Sequence, residues 1–344
     1  MSPPNFGSHP NSDATLPLVD RFGRRHDSLR LSVTDRCNIR CFYCMPETDA
    51  HFMKRDLLLS FEEIHRLVEL LVRRAGIREI RLTGGEPLVR KELRVLVKML
   101  AEIEGLEDLS ITTNGILLAE HAQSMRAAGL NRVNVSLDTL DEQAFQRISR
   151  RSGVSQVIEG IDAAIDAGFD SVKLNTIAIR GITEPEVIRL VKFADERQVP
   201  LRFIEFMPLD TDRAWQTESV LTGDELLQMM TDHFGQLRER HRQHPSQPAE
   251  DFELPSGGRV GIIRSVTSPF CSACNRLRVT ADGAIRNCLF AQDEVPVRDL
   301  MRAGGTDDEI LQAVQQCVAI KKRGHGIDEE GFVPPERPMY SIGG

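Results

Sequence analysis

The cysteines carry the clearest chemical signal in the sequence, because six of the seven fall into two short groups. The first group is Cys37, Cys41 and Cys44 in the segment TDRCNIRCFYC, directly after an apolar run. One loop with this spacing can place three thiolates around an iron–sulfur cluster, and they leave one iron of a four-iron cluster open to an outside ligand. A structural zinc site normally takes four protein ligands. Only His51 lies close by, so the spacing predicts a cluster.

The second group, Cys271, Cys274 and Cys288, spans a stretch in which Asp282-Gly283 marks a tight turn. This turn can bring the three cysteines together, and they again predict a cluster with one open iron. Two alternatives remain open. One is a zinc knuckle completed by a fourth ligand such as His325, and the other is a cluster that only relays electrons.

The seventh cysteine, Cys317, lies in the apolar periodic run ILQAVQQCVAI and is predicted to be a buried structural thiol. An odd count with two tight groups is not the pattern of a disulfide framework. Metal ligation in a reducing compartment fits the pattern better.

Basic residues stand at several positions where the chain is expected to be buried. Arg276 and Arg278 follow the second cysteine group, and on a strand they point to the same side; exposed surface arginines are the alternative. Four further cations lie within or beside apolar runs, namely Arg30, Arg81, Lys173 and Arg202. A buried cation is costly unless it meets an anion, and guanidinium groups suit phosphate oxygens. The pattern predicts a site for a highly charged phosphate ligand.

The segment LTGGEP, residues 82–87, follows an apolar run and combines two glycines with an acid. Glycines allow a backbone to approach a ligand closely, and Glu86 can pair with an ammonium group. The alternative is an ordinary strand-to-helix turn with Pro87 at the start of the helix. The cysteine loop that precedes the segment favours the ligand-binding interpretation.

Strand-type and helix-type runs alternate from about residue 28 to 206, which is typical of a parallel sheet with crossover helices. We predict an α/β fold, an incomplete (β/α)6 TIM-type barrel whose active face lies at the carboxyl ends of the strands. The predicted strands are 29–33, 77–83, 106–113, 132–137, 172–179 and 200–206, and the predicted helices are 60–75, 89–102, 116–128, 141–149, 154–167, 183–197 and 223–234. Ser60 and Glu63 form a predicted capping box.

Three segments organise the chain. Residues 1–25, rich in Pro, Ser and Asn, are expected to be a mobile lead-in unless contacts hold them. Residues 26–210 form the predicted barrel, and residues 211–344 a C-terminal α+β extension with a small antiparallel element and the second cysteine group. A net charge of -8 argues against nucleic acid and anionic membranes as partners. No long apolar run or secretory signal is present, so we expect a cytoplasmic protein.

The first cysteine loop resembles the hallmark of the radical S-adenosylmethionine (SAM) superfamily, CxxxCxxC with an aromatic residue, here Tyr43, before the last cysteine. From about residue 22 onward the chain resembles one family, the GTP 3',8-cyclases of molybdenum cofactor biosynthesis. The shared motifs occur in one order: TDRCNIRCFYC, RLTGGEPLVR, TTNG, NVSLD, the lysine of SVKLN, FIEFMP, CSACNRLRVTADG and a closing Gly-Gly. The start before Asp20 has no counterpart in the family core.

The resemblance implies two [4Fe-4S] clusters on the two cysteine groups, SAM on the first and guanine on the open iron of the second. The implied SAM contacts are Tyr43, Gly84, Gly85, Glu86, Ser136 and Met207. The implied GTP contacts are Arg30, Arg81, Thr112, Lys173, Arg202, Arg276, Leu277 and Arg278. In the family the terminal glycines reach the active site, so Gly343 and Gly344 are expected to matter for turnover.

The implied reaction is that of a radical SAM lyase. A reduced cluster cleaves SAM to a 5'-deoxyadenosyl radical, which removes the ribose 3' hydrogen of GTP, and attack on guanine C8 gives 3',8-cyclo-7,8-dihydro-GTP. The resemblance also implies an electron donor such as flavodoxin or ferredoxin, the next enzyme of the pathway as a partner, and a homodimer. Two alternatives are another radical SAM enzyme with an auxiliary cluster and a non-catalytic electron-transfer or zinc protein.

Overall fold

The structure is a computed structural model, and it describes residues 15–48, 50–210, 215–327 and 329–343. Its centre is a run of six parallel strands joined by helices. The strands are β1 (Ser28–Ser32), β2 (Glu79–Thr83), β3 (Asp108–Thr113), β4 (Arg132–Ser136), β5 (Ser171–Ala178) and β6 (Leu201–Glu205). The helices are α1 (Phe61–Ala75), α2 (Leu93–Ala101), α3 (Leu118–Ala127), α4 (Glu142–Ser149), α5 (Val154–Asp166) and α6 (Glu184–Glu196). The predicted order of elements is confirmed.

Apolar strands and amphipathic helices explain this architecture. In β1 every residue except Arg30 is buried, so the strand packs on both of its faces. Helix α1 begins with the predicted capping box, in which the Ser60 hydroxyl accepts from the Glu63 N–H and the Glu63 carboxylate accepts from the Ser60 N–H. The buried side of α1 carries the aliphatic residues that cover the sheet.

The C-terminal residues extend the same sheet at both edges. The elements are α7 (Gly223–Phe234), β7 (Arg238–Arg240), β8 (Glu250–Glu253), β9 (Arg259–Ile263), β10 (Arg276–Val279), β11 (Ala284–Arg286), β12 (Val295–Pro296), α8 (Val297–Arg302), α9 (Asp307–Ala319) and α10 (Met339–Ile342). Strand β9 pairs in parallel with β6, and β10 pairs in parallel with β1. The antiparallel pairs are β7 with β8, β8 with β9, β10 with β11 and β11 with β12.

The resulting sheet has twelve strands in the order β12-β11-β10-β1-β2-β3-β4-β5-β6-β9-β8-β7, and it is open because its two ends do not pair. The incomplete barrel is thus confirmed. The expected antiparallel element is present at the Asp282-Gly283 turn, where β10 and β11 form a hairpin. The extension differs from the prediction in one respect, because its strands β9 and β10 also continue the parallel sheet of the barrel. The division at residue 210 remains a prediction.

The segment before β1 is held by contacts from Leu16 onward. Leu18, Asp20 and Arg24 are buried, and Val19 pairs with Arg25 in a short bridge. Residues 1–25 were expected to be mobile unless contacts hold them, and such contacts are present from Leu16 to the end of this segment. Residues 1–14 lie outside the described ranges. Cys317 is buried in the core on α9, as predicted. No helix in the described part is long and apolar enough to cross a membrane.

Candidate active site

Two adjoining cavities lie inside the partial barrel. The first cavity, of about 240 Å³, is lined by the first cysteine group, Tyr43, Gly84, Gly85, Thr112 and Ser136. The second cavity, of about 200 Å³, is lined by the second cysteine group, Met207, Arg202, Arg276 and Arg278. Arg30, Arg81, Asn175 and Ile204 line both cavities. The two cysteine groups therefore face a common interior, with cations between them.

A hydrogen bond ties the first cysteine loop to the end of β4. The Tyr43 hydroxyl donates to Asp138 Oδ2 at 2.6 Å, and Asp138 Oδ1 accepts from the Ile177 N–H at 2.9 Å. Burial raises the pKa of both the Tyr43 hydroxyl and the Asp138 carboxyl. Tyr43 therefore lines the first cavity and also holds the cysteine loop against the end of β4. Sequence reasoning missed Asp138, although NVSLD contains it.

The two glycines of LTGGEP pack against the cysteine loop with no room for a side chain. A Cβ on Gly84 would lie 2.3 Å from the Thr34 carbonyl oxygen, and a Cβ on Gly85 would lie 2.4 Å from the Arg36 carbonyl oxygen. Gly84 also has a φ of +149°, which favours glycine. The glycines therefore fix the cysteine loop against the end of β2, in addition to lining the first cavity.

Glu86 is turned away from the first cavity. Its carboxylate, 1% exposed, accepts from the Thr113 hydroxyl at 2.8 Å, the Asn114 N–H at 2.7 Å and the Leu88 N–H at 3.0 Å. Burial raises its pKa to about 7 in spite of these donors. The expected contact of Glu86 with the SAM ammonium group remains a prediction. Glu86 joins the loops after β2 and β3, and thereby positions the backbone beside it.

The first cysteine group fits a cluster by its donor set. Cys37, Cys41 and Cys44 line one cavity from one loop, and burial raises the pKa of all three thiols, to about 11 for Cys37 and about 12 for Cys44. Thiols in this setting lose their protons when metal binds, since the thiolate is the ligand. Asn114, also missed from sequence, places its side-chain amide 3.8 Å from Cys37 Sγ.

The second cysteine group also fits a cluster better than zinc. Cys271, Cys274 and Cys288 line one cavity together with His325. His325 Nδ1 accepts from the Ile327 N–H at 3.1 Å, so Nε2 carries the proton and donates to the Ser265 carbonyl at 2.9 Å. Neither ring nitrogen is then available as a fourth ligand. Within the described ranges, no three His, Cys, Asp or Glu side chains converge on a single-ion site.

Five of the predicted cations, all arginines, line the second cavity, and Lys173 lies apart from it beside Arg202. Arg30, Arg81, Lys173, Arg202, Arg276 and Arg278 form no ion pair with an acid in the part of the chain that the structure describes. Burial, followed by neighbouring cations, lowers the pKa of Arg81 to about 9, and burial followed by Arg276 lowers that of Arg278 to about 10. Asp251, Glu79 and Asp108 offset part of this positive charge, and a bound polyanion would offset more of it.

Two of the predicted GTP contacts, Leu277 and Lys173, do not line the two barrel cavities. Leu277 is fully buried in the hydrophobic core, on the opposite side of β10 from its two arginine neighbours, and its predicted contact with GTP remains a prediction. Lys173 lines a third cavity of about 440 Å³ at the β7 and β8 side, which it shares with Arg202. Arg202 lines the second cavity as well and so connects the two.

The C-terminal tail enters the barrel. Arg278 Nη1 donates to the Gly343 carbonyl oxygen at 2.6 Å, and Tyr340, Ser341 and Ile342 are buried. Gly343 has a φ of +83°, and a Cβ there would lie 2.7 Å from Ser32 Cβ and from Thr83 Oγ1. A glycine is required by both the conformation and the space. Gly344 lies outside the described residues.

Replacing Arg81 with methionine is expected to stabilise the ligand-free protein and to weaken nucleotide binding. Arg202 and Arg276 repel Arg81, so its removal should raise the free energy of unfolding. Thermal unfolding with and without GTP measures both effects, and GTP should raise the melting temperature less than in the wild type. Arg94, exposed on α2, supplies the control Arg94→Met. A destabilised Arg81→Met protein with unchanged GTP response would contradict this interpretation.

Comparison with known proteins agrees with this geometry. A family model described as the Radical SAM superfamily matches residues 31–194, and one described as Molybdenum Cofactor Synthesis C matches residues 199–327. The AdoMet-bound structure of anSMEcpe superimposes with a TM-score of 0.58 at 16% identity, over 91% of this chain and 93% of that one. The partial barrel and its cysteine loop therefore define a radical SAM protein.

Closer relatives narrow the class. A GTP 3',8-cyclase of Rhodopirellula baltica is 61% identical over 97% of this chain and 94% of the relative. A GTP 3',8-cyclase of Paenarthrobacter nicotinovorans is 43% identical over 96% of this chain and 98% of the relative. The chain belongs to the GTP 3',8-cyclase family.

Proposed function

We propose that this chain is a GTP 3',8-cyclase of molybdenum cofactor biosynthesis that uses SAM and two [4Fe-4S] clusters. The observation that carries the proposal is a group of five half-buried or buried arginines that form no ion pair among the described residues and line the cavity of the second cysteine group, two of them also lining the cavity of the first. A nucleoside triphosphate supplies the missing negative charge. Its base then extends toward the second cysteine group and its ribose toward the first.

The chain's own residues orient both ligands. On the SAM side, Gly84 and Gly85 offer backbone groups at the first cavity, and Ser136 and Tyr43 complete its wall. Met207, an expected SAM contact, lines the second cavity and not the first, and its contact with SAM remains a prediction. On the GTP side, guanidinium groups hold the phosphates in a fixed direction. Such positioning lowers the entropic part of the barrier.

The cofactors, when bound, supply the electron and the carbon radical that protein side chains cannot provide. Hydrogen passes from the ribose 3' carbon to the 5' carbon derived from SAM, and a bond then forms between C3' and guanine C8. One electron and one proton complete 3',8-cyclo-7,8-dihydro-GTP. We assign the reaction to the lyases, in line with the family resemblance.

Anaerobic turnover tests the proposal. Protein reconstituted with iron and sulfide is mixed with dithionite, SAM and GTP, and the products are analysed by mass spectrometry. The expected products are 5'-deoxyadenosine and a cyclised isomer of GTP, which has the mass of GTP because the hydrogen atom lost from C3' is balanced by the electron and proton gained. Deoxyadenosine without any GTP-derived product would indicate that the substrate is another molecule. The absence of both products from protein with both clusters loaded would refute the proposal.

The affinity for GTP is expected to fall as the pH rises above about 8. Burial, then Arg202, Arg132 and Arg81, lower the pKa of Lys173 to about 8, so its ammonium group loses its proton above that pH. Because GTP binds the charged form, affinity falls by up to about tenfold for each further pH unit. Equilibrium binding from pH 7 to 9 measures the effect. The Lys173→Arg variant should give a flat profile; the same break in that variant would assign the titration elsewhere.

Partners follow from the stoichiometry and the resemblance. Each SAM cleavage consumes one electron, so we propose a one-electron donor such as flavodoxin or ferredoxin. Transfer of the product to the next enzyme of the pathway, a homodimer and a cytoplasmic location are supported by the family resemblance.

A further inference from the structure

A buried ammonium group, that of Lys321, contacts one cysteine of the second group. Lys321 follows α9 and is 3% exposed. Its Nζ lies 3.4 Å from Cys274 Sγ and donates a hydrogen bond to the Arg276 carbonyl oxygen at 2.8 Å. One side chain thus links a proposed cluster ligand to a proposed substrate contact two residues further along the chain.

The surroundings of Lys321 offer no carboxylate that would explain its burial. Among the described residues it forms no ion pair with an acid, and nearby Asp20 is bound to Arg24 at 2.6 Å. His26 is fully buried, and burial followed by Lys321 lowers its pKa to about 4, so its ring is neutral. A buried ammonium is costly unless an anion lies beside it. Among the described residues, the contact that can supply a negative charge is the sulfur of Cys274, which is a thiolate when it binds metal.

Arg24 fixes this part of the chain. Its guanidinium donates to the Cys271 carbonyl oxygen at 2.6 Å, to the Arg323 carbonyl oxygen at 2.9 Å and to the Lys322 carbonyl oxygen at 2.7 Å. The segment that carries Lys321 is therefore clamped onto the loop that carries the cysteines. The ammonium is a fixed charge at this site, unlike a surface lysine that samples many positions.

We propose that Lys321 is a positioning residue that stabilises the cluster-bound thiolate of Cys274 and makes the reduction potential of the second cluster less negative. The inference rests on the proposed second cluster. Reduction adds a negative charge to a cluster, and a fixed positive charge beside it stabilises the reduced form more than the oxidised form. The hydrogen bond to the Arg276 carbonyl also couples the cluster loop to the substrate site.

The two cysteine groups differ in the charged contact that the geometry shows. Lys321 Nζ lies 3.4 Å from Cys274 Sγ in the second group, whereas Cys37 Sγ in the first group contacts the neutral amide side chains of Asn38 and Asn114. The charge of Lys321 therefore acts on the second cluster, whose ligand it contacts.

Redox titration of the reconstituted holoenzyme, followed by electron paramagnetic resonance, tests the role of Lys321. The titration step that disappears in Cys271→Ser protein belongs to the second cluster. In Lys321→Met protein the equilibrium constant for that step should fall at least tenfold, a shift of about 59 mV to more negative potential. The step of the first cluster should not move. Lys321→Arg protein, which keeps the charge, should stay near the wild-type value.

The exposed neighbour Lys322 supplies the control Lys322→Met, which should change neither step. If Lys321→Met protein loses the second cluster while Lys321→Arg protein keeps it, the requirement for charge is supported. An unchanged midpoint in iron-replete Lys321→Met protein would overturn the proposal, as would equal cluster loss from both variants. Wild-type protein with a single cluster would refute the second cluster itself and leave Lys321 without a role, whatever the outcome of GTP turnover.

Discussion

Replacing Cys41 with alanine is expected to abolish SAM cleavage and with it every GTP-derived product. The variant retains at most two of the three thiolates that line the first cavity, too few to hold a cluster there. By contrast, replacing Cys288 should stop cyclisation while SAM cleavage continues, because the two groups lie in different cavities. Deoxyadenosine and the GTP-derived product are quantified in the same reaction.

Iron analysis completes this comparison. Each substitution should lower the iron content from about eight to about four per chain. Cys317, the buried cysteine on α9, supplies the control, since Cys317→Ala protein should keep both clusters. Full SAM cleavage by Cys41→Ala protein, or normal cyclisation by Cys288→Ala protein, would contradict the assignment of the two groups.

Replacing Gly343 with valine is expected to lower kcat/KM for GTP about a hundredfold, with a much smaller effect on SAM binding. The new Cβ would collide with Ser32 and Thr83, and the displaced carbonyl would no longer accept from Arg278. A shift of about 1 Å at a positioned group can cost about that factor. Single-turnover rates of cyclisation and equilibrium binding of SAM measure the two effects.

A matched control separates backbone strain from misplacement of the tail. Gly331 has a φ of +82° with nothing within 4 Å of its Cβ position, so Gly331→Val introduces a similar strain without the collision. That variant should retain activity. Equal losses in both variants would mean that the effect arises from general strain, and an active chain lacking Gly343 and Gly344 would remove the tail from the reaction.

The hydrophobic pattern of the sequence predicted the strands and helices of the partial barrel. The six barrel strands and their helices follow from apolar runs of the right length, and Ser60 and Glu63 mark the start of α1 correctly. The cysteine groups were visible because spacing and loop position constrain them together. The cations were visible because charge within a buried strand is unusual.

The remaining features depend on partners distant in the chain. Strands β9 and β10 are short, and only their neighbours β6 and β1 make them part of the parallel sheet. The hydrogen bonds of Glu86 could not be predicted, because two of its three donors, Thr113 and Asn114, lie 27 and 28 residues away. Lys321 belongs to a short basic run, and the sequence gives no sign of its contact with Cys274, which lies 47 residues earlier in the chain.

Isotope transfer tests the central claim most directly. Anaerobic, reconstituted protein is given SAM, dithionite and GTP that carries deuterium at the ribose 3' carbon, and the deoxyadenosine is analysed by mass spectrometry. If the ribose sits between the two cysteine groups as proposed, deoxyadenosine gains one deuterium and the cyclised product lacks it. Unlabelled deoxyadenosine from active protein, or label retained in the product, would contradict abstraction from the 3' position.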